Sequence, residues 1–440
     1  MKRILALLMA VFAVLTTVSC TPADASATRT QTEETSEEVS SEEAPVSTSD
    51  DEKYVGYDPI VGAKLPELLA AIPIANSSMS EEELRNICVD FFRLQLSFKW
   101  LPDQDYTYVT SSKNERITYE EGKLQGGIPY INTASGNLYR ILHFYDAEHG
   151  VLRLKELTRN NLYFGNACSG SALWAWSRVI NTVPKGNWTH SMTHVNGFLR
   201  LGNYTYSDTI TNFGQNGAID VDDIMRNHTA QTMYECYALV KKADGIVSTG
   251  HVRMAAENAN VVRREDGSID PQLSTLTCLD QVLYTTAEHH KKDQDGLPYI
   301  IQGGVDVVYT FAELRNTNYI PFTFAEFLGT DPVEPGTATM QNPPAEFNYF
   351  HVSTQIVEAN YPISDIYCVV KDAEGNVKLN HMWMARNHYV RSVEMSKSGV
   401  LPTYGVLRQY EEAGGHTFEV YCQLGNGERI LVYTAPIVGR

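Results

Sequence analysis

Residues 166–180 read NACSGSALWAWSRVI, a run of small residues that leads into an apolar segment rich in alanine and tryptophan. The pattern predicts a helix that begins near Cys168, with small residues in its first turn that let another group approach closely. A thiol at a helix start faces the positive end of the backbone dipole and unpaired N–H groups, which favour the thiolate. The same N–H groups can stabilise an oxyanion beside the sulfur. Cys168 is therefore the strongest candidate for a catalytic residue.

A cysteine nucleophile needs a base, and His251 fits that role because it opens a predicted strand after a Gly-containing turn. A polar turn with Asp266-Gly267 joins this strand to a second β-rich run, 274–285, which indicates a hairpin. The returning run carries Asp280 and Gln281, either of which can orient the imidazole. Neighbouring strand residues face opposite sides, so only one of the two can point at His251. Both alternatives stay open, with a slight preference for Asp280 because an anion also stabilises imidazolium.

Four short motifs follow one another along this part of the chain. They are Gly127-Ile128-Pro129-Tyr130, Cys168-Ser169-Gly170, Gly250-His251-Val252 and the Asp280/Gln281 pair. Taken together they resemble the NlpC-type cell-wall peptidases, a branch of the papain-like cysteine peptidases, over residues 119–327. The resemblance implies hydrolysis of an amide bond through a thioester on the cysteine. It also implies that Tyr130 and the N–H of Cys168 or Ser169 lie near the oxyanion, and it requires no metal or organic cofactor.

The sequence departs from the family pattern at positions that bear on substrate binding. Ala167 stands where the family has an aspartate that helps to hold the free amine of the substrate. Residues 131–133, Ile-Asn-Thr, replace the Trp-Gly-Gly that often follows the tyrosine, and Arg253 replaces a glycine after His-Val. We therefore expect altered substrate recognition, with Ala167, Ser169 and Arg253 on the substrate side of the site.

Structural interpretations of the same residues compete with the catalytic one. Cysteine is among the most buried residue types, so Cys168 taken alone is more simply a packing residue, and His251 a hydrogen-bonded structural histidine. On that basis the chain is a non-catalytic surface lipoprotein that binds glycan or peptide. A third alternative keeps the nucleophile but transfers the acyl group to an acceptor other than water. His190 and His194 have metal-ligand spacing, but no glutamate lies between them, so no metal site is expected.

The first twenty residues predict export. Lys2 and Arg3 precede an apolar run, 4–15, which is too short to span a bilayer comfortably and suits a signal peptide. A small residue followed by Cys20 resembles the lipobox of bacterial lipoproteins, although Thr17 replaces the usual leucine. This resemblance implies lipidation of Cys20 and anchoring to the outer face of the cell membrane. An ordinary cleaved signal is the alternative.

Residues 21–53 predict a solvated tether. They carry ten acidic residues against two basic ones, a net charge of −8, and no aromatic residue. Such a segment cannot bury enough apolar surface to offset its ordering entropy. The whole chain has a net charge of −18, which argues against a nucleic-acid partner. An extracellular peptide and the membrane are the expected partners.

The remaining residues predict an α+β protein with two domains. Ser80 and Glu83 form a capping-box pattern before a helical run, and residues 54–329 are assigned to the papain-like domain with this helix at its start. Residues 330–344, rich in Pro, Gly and Thr, are predicted to be a linker. Many short β-rich runs beyond it predict a β-sandwich over 345–440. The six cysteines after Cys20 show no disulfide-scaffold spacing.

Overall fold

The chain contains both helices and strands, and most of the strand pairs are antiparallel, so the protein is of the α+β class, as the sequence predicts. The computed structural model describes residues 64–109, 116–130, 136–154, 165–182, 198–204, 221–248, 250–282, 290–292, 298–301, 303–384 and 390–438. All of these residues belong to one compact unit, Asp58–Arg440. Its helices are α1 (Leu65–Ala70), α2 (Glu81–Ser97), α3 (Leu138–His143), α4 (Cys168–Trp176), α5 (Val221–Asn227), α6 (Ala230–Tyr237), α7 (Phe311–Asn316), α8 (Tyr349–Ser353) and α9 (Tyr404–Ala413).

The strands of the described residues form five sheets. They are β1 (Lys99–Pro102), β2 (Tyr106–Val109), β3 (Arg116–Tyr119), β4 (Gln125–Gly126), β5 (Tyr145–Asp146), β6 (Val151–Leu152), β7 (Phe198–Arg200), β8 (Gly245–Ser248), β9 (His251–Ala255), β10 (Thr275–Asp280), β11 (His290–Lys292), β12 (Pro298–Ile301), β13 (Gly304–Thr310), β14 (Ile320–Phe324), β15 (Ala338–Met340), β16 (Ile356–Ala359), β17 (Ile363–Lys371), β18 (Val377–Met384), β19 (Ser392–Glu394), β20 (His416–Leu424) and β21 (Arg429–Ile437). Two six-stranded sheets have the orders β11-β12-β4-β1-β6-β5 and β13-β10-β9-β8-β14-β7. The others are β2-β3, β15-β16-β19 and β18-β17-β20-β21.

Buried apolar side chains between Leu65 and Met384 form a first hydrophobic cluster, and helix α4 is part of it. The helix begins at Cys168, as the sequence predicts, and all nine of its residues are buried. A helix that is apolar or small on every side can be surrounded completely, and here α2 and β9 pack against it. The capping box of α2 is confirmed, because the Ser80 side chain accepts a hydrogen bond from Glu83 N and the Glu83 side chain accepts one from Ser80 N.

The β8–β10 part of the second six-stranded sheet carries the candidate residues. Ser248 pairs with His251 across a two-residue turn, and Gly250 takes φ +89° there, a conformation that favours glycine. Strand β10 runs antiparallel to β9, as predicted, with Leu279 opposite Met254. Between them, residues 256–274 lie outside the two strands and turn back near Gly267, which has φ +84°.

Two antiparallel sheets and helices α8 and α9 make up the C-terminal part of the chain. Their apolar side chains form a second hydrophobic cluster, which runs from Met340 to Ile437 and is separate from the first. The predicted linker, 330–344, contains strand β15, whose Thr339 pairs with Glu358 of β16. Helix α9 was not predicted, because the β-rich runs on either side of it dominate the sequence pattern there.

Buried polar contacts join the two clusters. Arg140 of α3 donates to Asp365 Oδ1 at 3.2 Å and to the Ser364 carbonyl at 3.2 Å, and Arg140 and Asp365 have no exposed surface. Asn137 Nδ2 donates to Ser364 Oγ at 2.8 Å. Burial raises the pKa of Asp365 against the opposing effect of Arg140. The two parts are therefore held together by a buried ion pair as well as by packing.

Several predictions fall outside the described residues. These are the signal and tether over residues 1–53 with Cys20, the Ile-Asn-Thr replacement at 131–133, and His190 and His194. Within the part of the chain that the structure describes, no helix combines the length and apolar character needed to cross a membrane.

Candidate functional site

Cys168 is the first residue of α4 and is 4% exposed. The residue before it, Ala167, takes an extended conformation and has no side-chain oxygen to cap the helix. Ser169 is also buried. Helix geometry directs the first N–H groups out of this end, past the sulfur, where they can stabilise negative charge. Cys168 therefore lies, as the sequence predicts, at the start of a helix whose first residues are buried.

His251 lies between Cys168 and Asp280. Its Nε2 hydrogen-bonds with Asp280 Oδ1 at 2.5 Å, and the ring also hydrogen-bonds with Cys168, which leaves Nδ1 for the sulfur. Burial lowers the pKa of His251, but the Asp280 carboxylate and Cys168 outweigh burial and raise this pKa well above its ordinary value of 6.5. The three side chains form one continuous hydrogen-bonded series, and an imidazolium is stable at its centre.

Asp280 accepts three hydrogen bonds although it is 1% exposed. Its Oδ1 faces His251, and its Oδ2 accepts from Arg253 Nε at 2.8 Å and from the Tyr309 hydroxyl at 2.9 Å. Burial raises the pKa of Asp280, but His251 and Arg253 outweigh burial and hold this pKa well below its usual range. Asp280 is therefore an anion at neutral pH, as the stabilisation of imidazolium requires.

Gln281 points to the other face of the strand. Its Oε1 accepts from Ser171 Oγ at 3.2 Å and its Nε2 donates to the Ile128 carbonyl at 3.0 Å. Of the two candidates that the sequence leaves open, the structure thus brings Asp280 to His251 and directs Gln281 toward α4 and the turn before Tyr130. Gln281 holds two parts of the site together instead of contacting the histidine.

Backbone pairing brings Tyr130 close to Cys168. It forms a parallel β-bridge with Asn166, two residues before Cys168, and Asn166 N donates to the Pro129 carbonyl at 2.8 Å. The turn before Tyr130 depends on Gly127, which has φ +71° and where a Cβ would collide with the Leu96 carbonyl oxygen. The half-buried Tyr130 is thus fixed next to the start of α4.

Arg253, which we expect on the substrate side, also contacts Asp280 and two aromatic rings. Its guanidinium carbon lies 4.0 Å from the centre of the Tyr309 ring and 4.3 Å from that of Tyr319. The Tyr319 ring meets His251 edge-on at 6.4 Å between centroids. Arg253, Tyr309 and Tyr319 therefore surround the His251–Asp280 pair.

The sequence does not single out Gln95, Asn166 or the two tyrosines around Arg253. Gln95 of α2 is fully buried, and its Nε2 donates to the Ser171 carbonyl at 2.9 Å while its Oε1 accepts from Asn166 Nδ2 at 3.4 Å. The only signal for Gln95 is its polarity between Leu94 and Leu96, on a helix whose other face is charged. These contacts anchor the first turn of α4 to α2.

The other cysteines of the described residues lack this setting. With Cys168 included, all six cysteines of these residues are free and buried. Burial raises the pKa of the thiols of Cys88, Cys236, Cys278, Cys368 and Cys422. Among the six, only Cys168 combines the start of a helix with a histidine partner.

Comparison with known proteins finds no matching family model, no matching curated protein and no matching solved structure. A functional proposal therefore depends on the motifs and on the geometry of the site.

Proposed function

We propose that the protein is an extracellular cysteine hydrolase that cleaves amide bonds in cell-wall peptides or related peptides. The observation that carries the proposal is the hydrogen-bonded series from Cys168 through His251 to Asp280, at the amino end of a buried helix. A nucleophile, a base and an orienting carboxylate in this arrangement are what acyl transfer requires.

In the first half of the reaction the Cys168 thiolate attacks the carbonyl carbon of the amide. Negative charge moves to the carbonyl oxygen, where the N–H of Cys168 or Ser169 and the Tyr130 side chain stabilise it. The His251 imidazolium then gives its proton to the leaving nitrogen, the C–N bond breaks, and a thioester and a free amine remain. The raised pKa of His251 keeps this proton available at neutral pH.

In the second half water replaces the amine. Neutral His251 takes a proton from the water molecule, the resulting hydroxide attacks the thioester, and the C–S bond breaks to give a carboxylic acid. Asp280 keeps the imidazole oriented and stabilises its charged form in both halves. Cys168 and His251 return to their starting states, so the cycle needs only water.

The fold supports the same proposal at the level of architecture. A cysteine at the start of a buried helix, packed against antiparallel strands that carry the histidine and aspartate, agrees with a papain-like domain over 54–329. Two antiparallel sheets around one apolar cluster agree with a β-sandwich over 345–440. The N-terminal lipobox resemblance adds that the protein acts from the outer face of a bacterial membrane, anchored at Cys20.

Two observations favour a second candidate function, that of a non-catalytic lipoprotein that binds glycan or peptide. Cys168 is only 4% exposed, and the acidic residue that the family uses for the substrate amine is replaced by Ala167. An acyl or amide transferase would use the same nucleophile with a different acceptor.

Reactivity of the thiol separates catalysis from binding. Cys168 should react with iodoacetamide near neutral pH faster than the other five buried cysteines, because only it has a histidine partner. His251→Ala should slow this reaction. His149→Ala is a matched control, because His149 also pairs with a carboxylate, Asp146, at 2.9 Å.

The second arm of the experiment is turnover. Wild-type protein should release new amines from cell-wall peptides, and Cys168→Ser should not. Mass-spectrometric mapping in which Cys168 reacts no faster than the other cysteines would support the binding function and end the catalytic proposal. Release of amines together with transfer to an added amine acceptor would indicate the transferase.

A further inference from the structure

Arg253 lies two residues after His251 on β9, so both side chains leave the same face of the strand. We propose that Arg253, clamped between the rings of Tyr309 and Tyr319, is a positioning residue that fixes the Asp280 carboxylate for His251. The inference rests on the proposed function, since it assigns a role within that site. It also gives Arg253 a task different from the substrate contact expected from the sequence.

The contacts of the carboxylate carry the first step of the argument. Oδ1 of Asp280 faces His251 at 2.5 Å, whereas Oδ2 accepts from Arg253 at 2.8 Å and from Tyr309 at 2.9 Å. A carboxylate with donors on one oxygen only can rotate its plane, and the geometry of its hydrogen bond to the imidazole then changes. Here rotation would break a charge-assisted hydrogen bond, which is roughly twice as strong as a neutral one. Arg253 therefore fixes the plane of the carboxylate relative to the imidazole.

The surroundings of the guanidinium carry the second step. Arg253 is 13% exposed, and a buried cation is costly unless it is paired and hydrogen-bonded. Two aromatic rings at 4.0 and 4.3 Å and the Asp280 carboxylate provide this compensation. A planar guanidinium can stack between rings and donate in its own plane at once, and an ammonium cannot. The site is thus built for arginine and not for a positive charge alone.

The charge of Arg253 also has an electrostatic effect on the site. The titratable and charged groups around Asp280 are His251 and Arg253 of β9, Tyr309 of β13, Tyr319 before β14, Cys278 on β10 itself, and Cys168 of α4 beyond His251. Removal of a cation from this group makes every neighbour hold its proton to higher pH. Loss of packing alone would not produce such a shift.

The experiment uses the full-length protein with three variants, Arg253→Met, Arg253→Lys and Tyr309→Phe. Iodoacetamide alkylation of Cys168 is followed by peptide mapping between about pH 4 and about pH 10. We expect Arg253→Met to move the alkylation midpoint upward by about one pH unit. Arg253→Lys should keep the midpoint near the wild-type value, because it keeps the charge. Arg263→Met is the matched control, because Arg263 pairs with Glu235 at 2.9 Å on the surface.

Turnover of cell-wall peptides provides a second readout. We expect kcat to fall about 100-fold in Arg253→Met with little change in KM, because the residue acts on the base and not on the substrate. Arg253→Lys should recover part of kcat, and Tyr309→Phe, which removes one neutral donor, should lower kcat several-fold. If Arg253→Met does not fold, the other two variants test the proposal. Both Tyr309→Phe and Arg253→Lys should then have a lower kcat than the wild type, at constant KM.

The two proposals fail in different ways. A wild-type midpoint and kcat in Arg253→Met, with Cys168 still dependent on His251, would overturn the role of Arg253 and leave the hydrolase proposal standing. A shifted alkylation midpoint in Arg253→Met would support the positioning role even if the wild-type protein cleaves no cell-wall peptide. The absence of cleavage would remove the proposed substrate.

Discussion

Replacement of Asp280 by asparagine keeps the shape of the side chain and removes its negative charge. The wild-type carboxylate accepts from His251 on one oxygen and from Arg253 and Tyr309 on the other. An asparagine side chain has one acceptor oxygen and one NH2 donor. In either orientation of the amide, its NH2 group faces a hydrogen-bond donor, which is His251 in one orientation and Arg253 with Tyr309 in the other. The imidazole then loses the acceptor that selects its tautomer, or Arg253 loses its counter-charge.

The size of the effect follows from these contacts. The matching substitution in a serine–histidine–aspartate triad lowers kcat by about four orders of magnitude, and we expect a fall of similar order here. Removal of one partner from a buried ion pair costs about 3–5 kcal/mol of unfolding free energy. Because His251 is 19% and Arg253 13% exposed, we expect a value near the lower limit, about 3 kcal/mol.

The pH dependence of stability gives a further readout. The pKa of Asp280 is lowered in the folded state, so its contribution is complete above its ordinary value of 3.8 and is lost as pH falls through the folded-state pKa. The pKa of His251 is raised, so its contribution is complete below its ordinary value of 6.5 and is lost as pH rises through the folded-state pKa. The unfolding free energy of the wild type should therefore decline above about pH 6.5, and Asp280→Asn should remove most of this decline.

Urea unfolding at several pH values, with Cys168 alkylation in parallel, measures these effects. Asp306→Asn is the control, because Asp306 forms an exposed pair with Arg93 at 2.7 Å and its loss should change stability by less than about 1 kcal/mol. An Asp280→Asn protein that keeps both the wild-type alkylation rate and the wild-type decline with pH would refute the assignment of Asp280.

Three other predictions address separate parts of the chain. Cys20→Ala should be released from membranes or left unprocessed, and retention of the processed variant in the membrane fraction would remove the lipid anchor. Ala167→Asp should shift kcat/KM toward peptides with a free amine by about ten-fold or more, because a charge-assisted hydrogen bond contributes about 1.5–3 kcal/mol; an already strong free-amine preference in the wild type would contradict this. Burial raises the pKa of Glu326 to about 7 from 4.5, so the wild type loses stability as pH rises between these values. Glu326→Gln should therefore be more stable than wild type by about 3 kcal/mol at pH 8 and equal to it near pH 4, measured by urea unfolding.

Local sequence patterns were sufficient to predict the elements that carry the chemistry. The capping box at Ser80 and Glu83 and the helix that starts at Cys168 depend on neighbouring residues, and the antiparallel return of the chain after His251 is indicated by the turn at Asp266-Gly267. Contacts of that range are visible in a window of ten to twenty residues. The alternation of side chains along a strand likewise limited the orienting residue to one of Asp280 and Gln281.

Contacts between distant residues could not be predicted in the same way. The choice of Asp280 depends on the register of β10 against β9 after residues 256–274, because the register decides which β10 side chains share a face of the sheet with His251. The stacking of Arg253 on Tyr309 and Tyr319 joins three separate strands or loops, and aromatic residues are common enough in this chain to give no signal. Strand β15 in the predicted linker was missed because its β-bridge partners lie in another part of the sequence.

The ion pair between Arg140 and Asp365 joins residues that are 225 positions apart. Until Asp365 has been synthesised, Arg140 lacks its counter-ion, so we expect the region around α3 to complete its burial late. A fragment that stops at the linker would carry Arg140 without Asp365, and its folding should suffer although it contains every residue of the Cys168 site. The C-terminal sheets thus supply the buried counter-charge for α3, and we expect the part of the chain that carries Cys168 to depend on them for its stability.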